Sequence, residues 1–377
     1  MNCEFPRNDF VKEAIKQGHS QEFINECLLY ADNLTYKGLP VIFSTKHFCE
    51  LLDISFKQLN YILDNREDFY GTFNLRKKRG GYRRIQYPLP ILKNIQRWIL
   101  DYILTRVPLH SSCKGFRRGE SILTNATPHL TKKTILHLDI EDYFGSITQK
   151  QVFNVFSKLG YNKSLAHDLS KLCTIHKVEI EKTIETDSFL ATEQKEFLES
   201  IKRYSQKKID FILPQGAPTS PTLANLVSVK LDKRLFSLAE KLGVTYTRYA
   251  DDLTFSTDTE ILPRLAIIKK ILSEEGFQLN KSKTATRKQG QRQIVTGLLV
   301  SGEKAKVPKK YKQDILKHLF YADKYGPKDH SMEIQKNPAT FQEWLLGRIM
   351  FVRSIELETG NMMLEKYNQI EWGFNLK

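Results

Sequence analysis

Two places in this sequence put carboxylates where they could hold a divalent cation. Asp139 ends the apolar run TILHLDI at residues 134–140, and Asp251-Asp252 lies between the apolar segments VTYTRY and LTFST. A hard cation such as Mg²⁺ takes oxygen ligands and is often held by one or two carboxylates together with substrate phosphates. Two such ions about 4 Å apart bind both the attacking and the leaving oxygen of a phosphoryl transfer. That chemistry needs aspartates projecting from rigid strands into one place. Adjacent aspartates repel each other, so the pair is electrostatically poor without a cation. A lone Asp-Asp is usually an acidic surface turn; flanked by apolar strands and matched by an upstream acid at a strand end, it points to a metal site.

The elements that must position these acids can be read from periodicity. Residues 134–140 alternate as a strand, and residues 244–257 read as a hairpin with the acids at its tip. Residues 221–242 read as one long helix, with Pro221 near its first turn and Gly243 just past its end. A helix covers about 261–275, Gly276 caps it, and QRQIVTGLLV at 291–300 is strand-like. Residues 1–70 read as short helices, with Ser44 and Ser55 as N-caps. Six basic side chains surround Gly80-Gly81 in LRKKRGGYRR (75–84), which suits a hairpin with a glycine turn. A helix follows on the spacing of Ile91, Leu92, Ile95, Trp98, Ile99 and Tyr102, and helical periodicity returns over 149–175. Residues 176–210 are charged and glycine-free and read as an exposed insertion. Residues 301–377 are mostly helical, and 301–330 hold eight lysines against four acids.

Composition sets the bounds. The 377 residues can bury a sizeable core, and the hydrophobic and charged fractions are ordinary for a globular protein. A formal net charge of +15 points to a polyanionic partner, of which nucleic acid is the usual one. Cys3, Cys27, Cys49, Cys113 and Cys173 show neither CxxC pairing nor zinc spacing, which suggests reduced thiols in a cytoplasmic protein. No signal peptide and no membrane-length apolar run is visible, so no membrane partner is expected.

Along the chain, Leu138-Asp139-Ile140, the segment LPQGAPTSP at 213–221 and YADD at 249–252 occur in the order of the palm motifs of reverse transcriptases, and the chain resembles that family. The segment Gly80-Gly81-Tyr82-Arg83-Arg84-Ile85 resembles the fingers motif. The resemblance implies an α+β right-hand polymerase with fingers, a palm of antiparallel sheet plus helices, and a helical thumb. It implies RNA-directed DNA polymerase activity with Asp139, Asp251 and Asp252 as catalytic acids. It places Mg²⁺ (Mn²⁺ as a substitute) on Asp139, Ile140, Asp251 and Asp252. Arg83, Arg84 and Lys78 match positions that hold the nucleotide triphosphate, with Arg76 nearby, and forked arginine hydrogen bonds suit that task. Gln215 matches the glutamine beside the incoming sugar. Phe144 matches the steric gate that favours dNTP over rNTP, although an aromatic after a strand is more often core. Lys283, in a segment that resembles the post-palm motif, could meet a phosphate or simply be exposed.

Asn125-Ala126-Thr127-Pro128-His129 and Val295-Thr296-Gly297 resemble the NAxxH and VTG signatures of retron enzymes. Retron resemblance implies a cognate structured noncoding RNA, priming from one of its 2′-hydroxyls, a branched RNA–DNA product carrying the cDNA, and anti-phage defence with an effector protein. Asn125 and His129 are then RNA-contacting or structural, and Lys309, Lys310 and Lys312 belong to a basic thumb that grips RNA. The expected organisation is a helical region at 1–74, fingers and palm at 75–300 with the insertion at 176–210, and the thumb at 301–377. Two rivals stay open: an intron or diversity-generating reverse transcriptase, and an RNA-binding scaffold that controls a toxic effector. Tyr321-Ala322-Asp323 echoes YADD but lacks the second acid.

Overall fold

A computed structural model describes residues 5–76, 80–177 and 211–372. It begins with four helices, α1 (Arg7–Lys16), α2 (Gln21–Tyr36), α3 (Thr45–Leu52) and α4 (Phe56–Asp64). Ser44 and Ser55 cap α3 and α4 as expected. Ser44 Oγ accepts from the His47 amide, and Ser55 forms a reciprocal capping box with Gln58. Then come the hairpin β1 (Tyr70–Arg76) and β2 (Tyr82–Pro88), α5 (Pro90–Tyr102), α6 (Ile122–Ala126), β3 (Thr134–Glu141), α7 (Gln149–Leu159) and α8 (Lys163–Leu172). Short strands β4 (Ile175–His176) and β5 (Phe211–Ile212) pair with each other. Of the expected insertion at 176–210, residues 178–210 lie outside the described residues.

The remaining elements are α9 (Ser220–Val227), α10 (Val229–Lys241), β6 (Thr245–Tyr249), β7 (Asp252–Thr257), α11 (Leu265–Glu274), β8 (Gln278–Leu279), β9 (Ala285–Lys288), β10 (Ile294–Val295) and β11 (Leu298–Leu299). Four helices close the chain: α12 (Lys309–Tyr325), α13 (Pro327–Glu333), α14 (Pro338–Ile355) and α15 (Leu357–Gln369). Tyr321-Ala322-Asp323 lies inside α12, so its likeness to YADD is one of spelling only.

Two expectations are corrected. The helix expected over 221–242 is two helices, broken at the fully buried Ser228. The strand expected over 291–300 is a tight hairpin: Val295 pairs with Leu298, leaving Thr296 and Gly297 as a two-residue turn. Both turn residues have positive φ, 45° and 86°, which is what a type I′ turn requires.

The chain divides into two compact units, each built from separate stretches of sequence. The first comprises 1–110, 141–231 and 272–278, and the second 111–140, 232–271 and 279–377. The second holds the main sheet, in the order β6-β7-β3-β8 with β9 also on β3; β3–β7, β6–β7 and β3–β9 are antiparallel. Its core joins Ala126, Ile135 of β3, Val295 and Leu298 of the small hairpin, and Ile315, Leu319, Phe341, Leu345 and Ile349 of the C-terminal helices. Burial of this kind stabilises by about 25 cal/mol per Å² of apolar surface, so the sheet and the terminal helices hold each other in place. Among the described residues no helix is long and apolar enough to cross a membrane, and Cys27, Cys49, Cys113 and Cys173 are free thiols.

Candidate active site

In the second unit strand register sets the three aspartates at neighbouring backbone positions. Asp139 of β3 stands directly opposite Asp252 of β7. On β7's other side Tyr249 pairs with Asp252, so Ala250 and Asp251 form a two-residue turn. The Ile140 amide donates to the Asp251 carbonyl at 2.9 Å, and the Asn280 amide donates to the Asp139 carbonyl at 2.8 Å. Side chains directly opposite on antiparallel strands lie roughly 5 Å apart at Cβ, and like charges there are destabilising. Asp139 is only 5% exposed, so its charge needs a partner. Lys283 supplies one: its Nζ lies 2.7 Å from Asp139 Oδ2. It is aimed there by a short turn whose first residue, Asn280, accepts from the Ser282 amide.

Asp252 carries the electrostatic consequence. Crowding by surrounding protein atoms, then the charges of Asp251 and Asp139, push its carboxyl up to about 7, while Lys283 pulls the other way. The side chain is open to solvent, which screens the burial contribution and leaves carboxylate repulsion as the firmer cause. A cation would relieve that repulsion, and the donors are all oxygens, which suits Mg²⁺ or Mn²⁺. Among the described residues no three acidic, histidine or cysteine side chains converge as a ready cage. An ion held by these carboxylates would need substrate oxygens to complete its shell. Ile140 is apolar and buried, so only its main chain could join such a site.

The expected nucleotide-side residues lie in the first unit. Arg83 and Arg84 stand on β2 opposite Leu75 and Asn74, Arg83 exposed and Arg84 half-buried. Lys78 lies outside the described residues. The Gln86 amide donates to the Gln215 carbonyl at 2.9 Å. Gly216 has φ +133°, and a Cβ there would sit 2.8 Å from the Gln86 carbonyl oxygen, so glycine allows the close approach. The Leu213 amide donates to the Ile147 carbonyl, and the Ile147 amide to the Phe144 carbonyl. Backbone bonds thus fasten together the strand of Arg83 and Arg84, the loop of Gln215 and the segment of Phe144. Phe144 is half-buried against Tyr143, with ring centroids 5.4 Å apart.

The residues expected to meet RNA divide. His129 is fully buried, with Nδ1 2.6 Å from Ser256 Oγ and Nε2 2.8 Å from Thr247 Oγ1. Burial, with His137 and Lys132 adding to it, pushes its pKa down to about 3. It is a neutral ring bridging β6 and β7, and of the two roles expected for it the geometry supports the structural one. Asn125 is 1% exposed, and its Nδ2 donates to Thr296 Oγ1 at 3.4 Å. The two sequence signatures therefore touch each other in the interior, which corrects the expectation that Asn125 and His129 present themselves to RNA. The ammonium of Lys312 is held by both Glu356 oxygens at 2.9 and 2.7 Å. Lys309 and Lys310 are exposed on the first turn of α12.

One pair escaped the sequence reading altogether: Arg248 and Asp232, both fully buried and joined at 2.6 Å. The signal was present. On β6, Arg248 shares a face with the buried Tyr246, and an inward arginine demands an anionic partner.

Comparison with known proteins shows the family. Residues 75–311 match the family model described as reverse transcriptase (RNA-dependent DNA polymerase). The chain is 33% identical over 348 residues to the retron Mx162 reverse transcriptase of Myxococcus xanthus, covering 85% of this chain and 68% of that one. It is 32% identical over 340 residues to the retron Ec86 reverse transcriptase of Escherichia coli, covering 89% and 91%. Among solved structures, apo telomerase from Candida tropicalis, truncated from the C-terminal domain, superposes with a TM-score of 0.34 at 12% identity over 67% of this chain and 59% of that one, too loosely to bear on the site. On the family match and these relatives, the chain belongs to the retron reverse transcriptases and is an RNA-directed DNA polymerase.

Proposed function

We propose that the enzyme polymerises at Asp139, Asp251 and Asp252, and that it copies its own structured noncoding RNA from a 2′-hydroxyl primer into a branched RNA–DNA product. The observation that carries the site is the register of Asp139 against Asp252 with Asp251 in the adjoining turn. Divalent ions on these carboxylates and the Ile140 carbonyl, Mg²⁺ with Mn²⁺ as a substitute, would supply Lewis-acid stabilisation of the attacking and leaving oxygens. The chain's own residues do the rest. Lys283 pairs with Asp139 and holds its carboxylate in place. Arg83, Arg84 and Lys78 hold the triphosphate of the incoming dNTP, and Gln215 lies beside its sugar. Phe144 excludes a ribose 2′-hydroxyl by its bulk.

In this reading the hairpin β1–β2 belongs to the fingers, the main sheet is the palm, and the helices α12–α15 are the thumb, whose Lys309 and Lys310 grip RNA backbone. The relatives are named as retron reverse transcriptases, which supports the RNA-primed programme; the cytoplasmic setting and the defence role with an effector protein belong to the same proposal. The test is dNTP incorporation by Asp251→Asn and Asp252→Asn variants on a poly(rA)·oligo(dT) template-primer. Loss of incorporation is expected, and undiminished synthesis by a folded variant would sink the site. Sequencing the cDNA ends formed in cells would then show whether they are joined to RNA through a 2′ linkage.

A further inference from the structure

The turn that carries Asp251 is strained and unusually well held. Ala250 has φ +56°, a left-handed conformation that costs a non-glycine residue free energy and persists only where its surroundings over-determine it. Those surroundings can be named. Arg248 and Asp232 are both fully buried and meet as a fork, Nε to Oδ1 at 2.8 Å and Nη2 to Oδ2 at 2.6 Å. The Tyr246 hydroxyl donates to the same Asp232 Oδ1 at 3.0 Å. The remaining arm of the fork, Nη1, donates to the Ala250 carbonyl at 3.1 Å. From another side, residues 112–114 run beside β6: the Arg248 amide donates to the Ser112 carbonyl, and the Lys114 amide to the Arg248 carbonyl, each at 2.8 Å. That segment delivers Gly115 against the turn, where a Cβ would stand 2.6 Å from the Ala250 nitrogen.

A buried ion pair is weak evidence for stability, because desolvation offsets its attraction and apolar replacement is often neutral or better. Stability alone therefore gives little reason for Arg248. A fixed guanidinium aimed at the carbonyl of a strained residue gives a specific one. We propose that Arg248, locked by Asp232 and Tyr246, is a positioning residue that sets the conformation of the Ala250–Asp251 turn and so the placement of the Asp251 and Asp252 carboxylates. The inference rests on the reading that these two carboxylates are catalytic.

The test replaces the whole buried cluster with apolar side chains, Tyr246→Phe, Asp232→Leu and Arg248→Met together, and separately makes Gly115→Ala, which presses on the Ala250 amide but leaves the ion pair intact. Incorporation of dTTP on poly(rA)·oligo(dT) is measured with Mg²⁺ and Mn²⁺ titrations, alongside melting curves and an Asp251→Asn control. A misplacement of about 1 Å costs on the order of 100-fold in rate. The expected result for the triple variant is a melting temperature close to wild type, KM for dTTP within about 2-fold, kcat down ~100-fold, and a metal midpoint raised several-fold. Gly115→Ala is expected to lose about 10-fold in kcat with the same shift in metal midpoint. A triple variant that melts normally and keeps both kcat and metal midpoint overturns the proposal. If the triple variant does not fold, Gly115→Ala decides, and wild-type kcat and metal midpoint there overturn it. Activity retained by the Asp251→Asn control would instead mean that the catalytic reading had failed, and the positioning role with it.

Discussion

The hairpins β6–β7 and β1–β2 have opposite characters. β6–β7 lies within the main sheet; its inner positions Tyr246, Thr247, Arg248, Leu253, Thr254, Phe255 and Ser256 are all buried, and His129 bridges its two strands. β1–β2 is a two-stranded sheet by itself, with Phe73, Leu75, Tyr82 and Tyr87 open to solvent beside Arg76 and Arg83. The difference suits the roles proposed for each. Carboxylates that must share an ion need placement to a fraction of an ångström, which only a crowded, hydrogen-bonded interior provides. Arginines that grip phosphates need reach and charge more than rigidity, and a solvated ribbon supplies both.

The sharpest way to break this contrast is at the tip of β6–β7. Asp251→Asn or Asp252→Asn should lower kcat by roughly 10³-fold or more with little change in template binding, read by single-turnover incorporation. Next in size is the clamp on the same hairpin. His129→Ala leaves the hydroxyls of Thr247 and Ser256 without their partner in the interior and should cost about 2–3 kcal/mol in urea unfolding. Affinity for a generic structured RNA, measured well below the unfolding transition, should stay unchanged; a loss of RNA binding in the folded variant would restore His129 as a contact.

On the exposed hairpin the expectation is milder and of a different kind. Arg83→Ala and Arg84→Ala should each raise KM for dNTP by about 10-fold while kcat stays within a few-fold. A collapse of kcat instead would mean that this ribbon also demands fine placement.

The smallest effect concerns Asp252, whose carboxyl is pushed up to about 7. An unfolded aspartate titrates near 3.9, so between those values the folded protein holds a proton that the unfolded chain has released. Stability of the metal-free protein therefore falls as pH rises through that window and levels off above about 7. Asp252→Asn removes the penalty and should raise the melting temperature at pH 8 by ~2 °C, after allowance for solvent screening, with no gain at pH 4. Thermal unfolding at the two pH values in chelator checks it.

How much was legible in the sequence follows from how local each signal is. The acids at a strand end and a hairpin tip were legible because period-2 alternation and a two-residue turn are properties of a few neighbouring residues. The caps Ser44 and Ser55 were legible for the same reason. The break at Ser228 was not, since no glycine or proline marks it and the residue is instead enclosed, with its Oγ 3.0 Å from the Tyr143 hydroxyl. The turn at Thr296-Gly297 was read as strand although Gly297 hinted otherwise. Asn125 and His129 were read as RNA-contacting or structural on the resemblance of a five-residue motif, which says nothing of partners more than a hundred residues away. Arg248 with Asp232 belongs to the same class: alternation announces an inward charge, but only the fold says which acid meets it.

The ion pair between Lys283 and Asp139 has one more consequence. If Asp139 takes a divalent ion as proposed, loading is an exchange reaction, in which an ammonium leaves the carboxylate as the metal arrives. In the empty enzyme the lysine then offsets part of the carboxylate repulsion, and the metal would relieve the rest. Affinity for the ion should depend on where the freed lysine goes, and a phosphate of the arriving nucleotide or primer is the natural destination. Nucleotide and metal would then bind with positive linkage, each making room for the other through a side chain that releases the carboxylate to one and turns toward the other.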